Sequence, residues 1–99
     1  MHQFIVNASL QILPLDQQKH PYQWVDDAID VIRKSGIKYE VGPFATVLEG
    51  TYFEVMSVVN SVNEYLSSEN CHEWIVNVQI QIRAASDISG NEKIAKYTN

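Results

Sequence analysis

The chain has one cysteine, three prolines and four glycines in 99 residues, and only 7 lysines and arginines against 12 aspartates and glutamates. A lone Cys71 excludes an internal disulfide and any thiolate-rich metal site, and it is compatible with a reducing cytosol. The formal charge of −5 argues against nucleic acid as a partner, because phosphate binding needs a basic stripe and the chain has none. A cationic ligand suits it better. No stretch approaches the ~18 uninterrupted apolar residues of a membrane span, so no membrane partner is expected. The N-terminal "MHQFIVNASLQIL" has no basic n-region and breaks its apolar residues with Asn7, Ser9 and Gln11. It does not read as a signal peptide.

Arrangements that carry catalysis are also missing. His2, His20 and His72 lie far apart, none at metal-ligand spacing, and read as solvated; no metal is expected. No Ser–His–Asp or Cys–His arrangement suggests itself, and Cys71 beside His72 is mere adjacency. Cys71 follows a helix in a turn, without a partner, and reads as dispensable. Gly42 and Gly50 belong to a hairpin and a helix cap, not to a phosphate loop. Asp26, Asp27 and Asp30 read as the solvated side of a helix, with Asp30 and Lys34 at i, i+4. No cofactor and no catalytic residue is implied.

What remains is a globular chain, 45% hydrophobic and 19% charged, long enough for one two-layer core. Residues 1–99 read as a single domain with a polar tail from about 86. Residues 3–13 alternate, with Phe4, Val6, Ala8, Leu10 and Ile12 on one face, which predicts a strand stopped by Pro14. Pro21 opens a helix over 21–35. Its apolar stripe is Val25, Ala28, Ile29 and Ile32, with Trp24 and Val31 as a shoulder, and Gly36 ends it. Strands over 37–42 and 45–50 follow, joined around Gly42-Pro43. Thr51 and Glu54 form a capping box for a second helix ending near 68–70, with Phe53 pointing outward. Residues 73–83 alternate again. The order β-α-β-β-α-β, with one apolar stripe per helix, predicts an α+β, ferredoxin-like fold. Both helices then cover one face of a four-stranded antiparallel sheet in the order 4-1-3-2.

The face opposite the helices carries Asn7, Ser9 and Gln11 from the first strand and Asn77, Gln79, Gln81 and Arg83 from the last. A turn centred on Pro43-Phe44 pairs Val41 with Thr46, Glu40 with Val47 and Lys38 with Glu49. Lys38, Glu40, Val47 and Glu49 then join the amides, while Tyr39 and Thr46 face the helices. Amides offer paired donors and acceptors in little volume, which suits a polar layer reading a ligand or a facing sheet. A plain solvated face stands beside that reading as its equal.

The stretch "SGIKYEVGPFATVLEG", residues 35–50, resembles the signature of a family of small thiamine-binding proteins, the YkoF-like group. Ser35, Gly36, Lys38, Tyr39, Glu40, Gly42, Pro43, Thr46, Glu49 and Gly50 carry the match, as does Pro14-Leu15. The resemblance implies the same ferredoxin-like fold and a binder of thiamine or a related hydroxymethylpyrimidine. It also implies assembly with other copies of the chain, as a homotetramer. It departs from the family in the bulky "DQQKHPYQW" and in Phe44-Ala45. The implied ligand set is Asn7, Ser9, Tyr39, Glu40, Phe44, Thr46 and Glu49, the acids meeting an amine or a thiazolium cation and Phe44 or Tyr22 stacking on a ring. A non-enzymatic cytoplasmic binding protein is thus expected. An assembly module without a small ligand is the alternative, and an enzyme built on Glu40 and Glu49 comes last.

Overall fold

The computed structural model describes residues 3–88. His2 and most of the expected polar tail lie outside the described residues. Six elements follow in the order β1 (Ile5–Pro14), α1 (Pro21–Ser35), β2 (Lys38–Val41), β3 (Thr46–Thr51), α2 (Tyr52–Ser68) and β4 (Trp74–Gln81). The strands form one antiparallel sheet in the order β2-β3-β1-β4. This is the expected 4-1-3-2 order read from its other edge, a ferredoxin-like α+β fold.

Local chemistry sets the helix bounds. The His20 ring accepts the Tyr22 N–H at 3.2 Å, Pro21 opens α1, and Gly36 closes it at φ 81°, a left-handed conformation that glycine adopts freely. At α2 the capping box forms as expected: Thr51 Oγ1 accepts from the Glu54 N–H at 3.2 Å and Glu54 Oε1 from the Thr51 N–H at 2.9 Å. β4 stops at Gln81, short of the expected Arg83, because the chain turns back. Arg83 donates to the Asp87 carbonyl at 3.0 Å, Asp87 Oδ1 accepts the Ile5 N–H at 2.7 Å, and the Ile88 N–H donates to the Ile5 carbonyl at 3.0 Å.

The core lies between the sheet and both helices, built on Val6, Ala8 and Leu10 of β1, Leu48 of β3 and the α2 stripe. α1 is rotated relative to expectation. Trp24, the expected shoulder, is buried with Ala28 and Ile32, whereas Val25 and Ile29 are only half-buried. That rotation leaves part of α1's apolar surface beside the sheet instead of against it.

Cys71 is a correction. It is buried in the core, not idle in a turn, and its Sγ donates to the Glu73 carbonyl at 3.7 Å. Burial pushes its thiol pKa up. The cause is local: Asn70 turns the chain at φ 63° and the Cys71 N–H returns to the Leu66 carbonyl at 3.0 Å.

Candidate ligand-binding site

The hairpin has the expected register: Lys38 opposite Glu49, Glu40 opposite Val47 and Val41 opposite Thr46. Alternation therefore divides the seven expected site residues. Asn7, Ser9, Glu40 and Glu49 lie on the open face of the sheet, and Tyr39 and Thr46 on the helix face. Phe44 stands in the loop between β2 and β3.

On the open face, Asn7, Ser9, Val47, Gln79 and Gln81 line a shallow depression of about 510 Å³. The amides engage one another, as where Asn77 donates to Gln11 at 3.0 Å. Asn7 is buried, its Nδ2 3.5 Å from the Leu48 carbonyl. Lys38 Nζ meets Glu49 Oε2 at 3.1 Å; Lys38 is exposed as expected, but only 12% of the Glu49 side chain is. Glu40 is exposed. Glu40 is thus open to water, whereas Glu49 is largely shielded, between Lys38 and the buried Asn7.

The helix side has a different cavity, a groove of about 470 Å³ between α1, the end of β1 and the loop 42–45. Its walls are apolar: Leu10, Ile12, Val25, Ile29 and Val41 among them. The exposed rings of Tyr22 and Phe44 stand at its rim. Tight turning holds Phe44 there. The Gly42 N–H donates to the Ala45 carbonyl at 2.9 Å, and a Cβ at residue 42 would lie 2.9 Å from that same oxygen. Besides the Tyr22 hydroxyl, the polar side chains lining the groove are Gln11, Asp26 and Thr46. Thr46 is 6% exposed, and among the described residues no hydrogen bond engages its hydroxyl.

Of the expected residues, Asn7 and Ser9 meet at the open-face depression, Ser9 and Phe44 at a second hollow beside the loop, and Phe44 and Thr46 at the groove. Tyr22, expected as a stacking ring, joins them. Tyr39 packs against the core instead. Asp26 is exposed, as the sequence reading had it, and it also lines the groove, which that reading did not foresee. Asp27, half-buried, pairs with Lys19 at 2.7 Å, and its carboxylate raises the Lys19 pKa. The available signal was the i, i+4 spacing of Asp26 from Tyr22, which puts both on one flank of the helix. Among the described residues no cluster of His, Cys, Asp or Glu could hold a metal ion, and no helix is long and apolar enough to cross a membrane.

A four-stranded ferredoxin-like sheet with an apolar groove beside its first helix defines a class of small α+β proteins. Comparison narrows it. The family model described as thiamine-binding protein matches residues 8–98. UPF0045 protein CPE1503 of Clostridium perfringens is 34% identical over 91 residues, covering 92% of this chain and 95% of that protein. The structure of a DUF77 domain of unknown function from Bacillus cereus superposes with a TM-score of 0.91 at 31% identity, over 98% of this chain and 93% of that one. A Thermotoga maritima protein, described as a candidate for thiamine biosynthesis or salvage, gives 0.84 at 31% identity, over 94% and 98%. The chain belongs to the thiamine-binding protein family.

Proposed function

We propose that the chain is a non-enzymatic binding protein for thiamine or a related hydroxymethylpyrimidine, acting in vitamin salvage, storage or delivery, and that the ligand lies in the groove between α1 and the loop 42–45. Thr46 carries this reading: a mostly buried residue whose hydroxyl has no described partner and stays accessible, in an apolar groove rimmed by two exposed rings. A heteroaromatic ring between Tyr22 and Phe44 gains stacking worth about 0.5–1.5 kcal/mol beyond its burial. The hydroxyl both donates and accepts, so it serves an exocyclic amine or a ring nitrogen equally. The groove volume falls within the usual range for small-molecule sites, roughly 300–1,000 Å³. Family membership and the description of the Thermotoga relative support the ligand class.

The open face has a separate role in this reading, self-assembly into a closed homo-oligomer, most simply a tetramer. The amide ladder and the half-exposed pair Leu13 and Ile75, opposite one another on β1 and β4, support it. The proposed setting is the cytoplasm, where an unpaired cysteine stays reduced.

Titration calorimetry with thiamine and with hydroxymethylpyrimidine on Thr46→Val and Glu49→Gln tests the site. Thr46→Val weakens binding by about 0.5–1.5 kcal/mol, the worth of one neutral hydrogen bond, and Glu49→Gln leaves it unchanged. The opposite pattern moves the ligand to the open face. A melt provides the broader check: a ligand at 100 times its Kd adds about 2.7 kcal/mol of stability. No shift and no heat with either compound overturns the function itself.

A further inference from the structure

We infer that Asp26 makes the groove selective for an unphosphorylated heteroaromatic cation: intact thiamine, in preference to its phosphate esters and to its neutral pyrimidine half. The inference rests on the reading above that the groove takes a thiamine-type ligand. Asp26 is the one charged residue among those lining the groove. It stands one turn along α1 from Tyr22, so carboxylate and ring share a wall. No described residue pairs with it, whereas its acidic neighbours are committed: Asp27 to Lys19, and Asp30 to both Arg33 and Lys34.

The groove also lacks what a phosphate needs. Each described lysine and arginine is already engaged: Lys19, Arg33, Lys34 and Lys38 with carboxylates, and Arg83 with the Asp87 carbonyl. None lines the groove. The start of α1 does reach it, and a helix N-terminus ordinarily attracts anions through its free N–H groups. Here Pro21 has no N–H, the His20 ring takes that of Tyr22, and the His20 carbonyl takes those of Gln23 and Trp24. A phosphate would meet a carboxylate and, among the described residues, no cation and no open helix N-terminus to offset it. A thiazolium ring meets that carboxylate and two aromatic faces, both attractive to a cation. The neutral pyrimidine half gains the ring contacts and no charge term. Because Asp26 is exposed to water, screening holds its effect to at most about 5-fold in affinity.

The test is titration calorimetry of thiamine, thiamine monophosphate, thiamine diphosphate and hydroxymethylpyrimidine against the wild type and Asp26→Asn, at low and high ionic strength. The wild type prefers thiamine to the other three. Asp26→Asn weakens thiamine by up to about 5-fold, leaves hydroxymethylpyrimidine unchanged, narrows the gap to the phosphates and loses the salt dependence. Its melting temperature stays that of the wild type, and Asp26→Ser repeats the pattern. Equal binding of thiamine and its phosphates by the wild type overturns the inference and leaves the function standing. So does an equal loss of all four compounds in Asp26→Asn. If the wild type binds none of the four, the function falls and the inference with it.

Discussion

Thr46 and Glu49 are three residues apart, and in a strand that spacing puts them on opposite faces. The motif that carries the family resemblance is continuous in sequence, so reading it as one site merged two surfaces. The register was legible and came out as expected. Its consequence for the site was not drawn, because contiguity suggests proximity and alternation denies it. Cys71 shows a second limit at this scale. Burial of a loop residue depends on where the loop docks, and neither period two nor period 3.6 marks it. Cys71→Ser therefore carries a cost that an exposed position would not. Placing a hydroxyl among apolar neighbours destabilises by about 1–2 kcal/mol, moderated by the Glu73 carbonyl that now accepts from Sγ. Cys71→Ala, which introduces no polar atom, costs less. Denaturant melts of the two variants check the order, and a serine variant as stable as the wild type restores the dispensable reading.

Helix and strand bounds were legible nearly to the residue, because proline, glycine and the capping box mark them chemically. The packing angle of α1 was not. Trp24 sits deeper than the Val25 and Ile29 stripe, which a helical repeat does not disclose, and the groove is the product of that rotation. Nor did the sequence disclose how the loops are tied. Asp16 lies between β1 and α1, yet its buried carboxylate accepts the Gln18 N–H at 2.7 Å and the His72 N–H at 2.7 Å. The His72 ring is 3.5 Å away, and the Leu15 N–H donates to the Glu73 carbonyl at 2.9 Å. The Gln18 and His72 backbone donors hold the Asp16 pKa below the ordinary carboxylate value. A pKa lowered by folding contributes stability above the unfolded value, about 3.9, and the contribution disappears as pH falls through the folded value. Asp16→Asn therefore melts lower than the wild type from neutral pH down to about 4, and the gap narrows as pH falls further, through the lowered folded value. Melting temperature against pH for both proteins checks this; a gap unchanged at the acid end removes the charge from the explanation. Thr51→Ala, which breaks the α2 capping box, costs about 1 kcal/mol.

At the scale of the molecule, two helices against four strands leave one sheet face without a layer over it, and that much follows from element order alone. On that face the amides pair with each other at 3.0 Å, while Leu13 and Ile75 stay 40% and 45% exposed. A tetramer of paired dimers needs two self-complementary surfaces, because each two-fold axis requires its own isologous contact. In the proposed tetramer the sheet face would supply the first. Phe53, 81% exposed at the start of α2, is the proposed mark of the second, on the helix side. A lysine at residue 75 would bring like charges together across the sheet-face axis and remove an apolar side chain whose burial is worth roughly 1.5–3 kcal/mol per copy. Light scattering coupled to size exclusion then reads a tetramer for the wild type, a dimer for Ile75→Lys, a dimer for Phe53→Ser and a monomer for the double variant. Ile75 lies opposite Leu13, which also lines the groove, so Ile75→Lys reads the assembly and is not an independent control on binding. A wild-type monomer at micromolar concentration removes the assembly. A tetramer that survives Ile75→Lys removes the sheet face from it, and leaves the open amides as a surface for water.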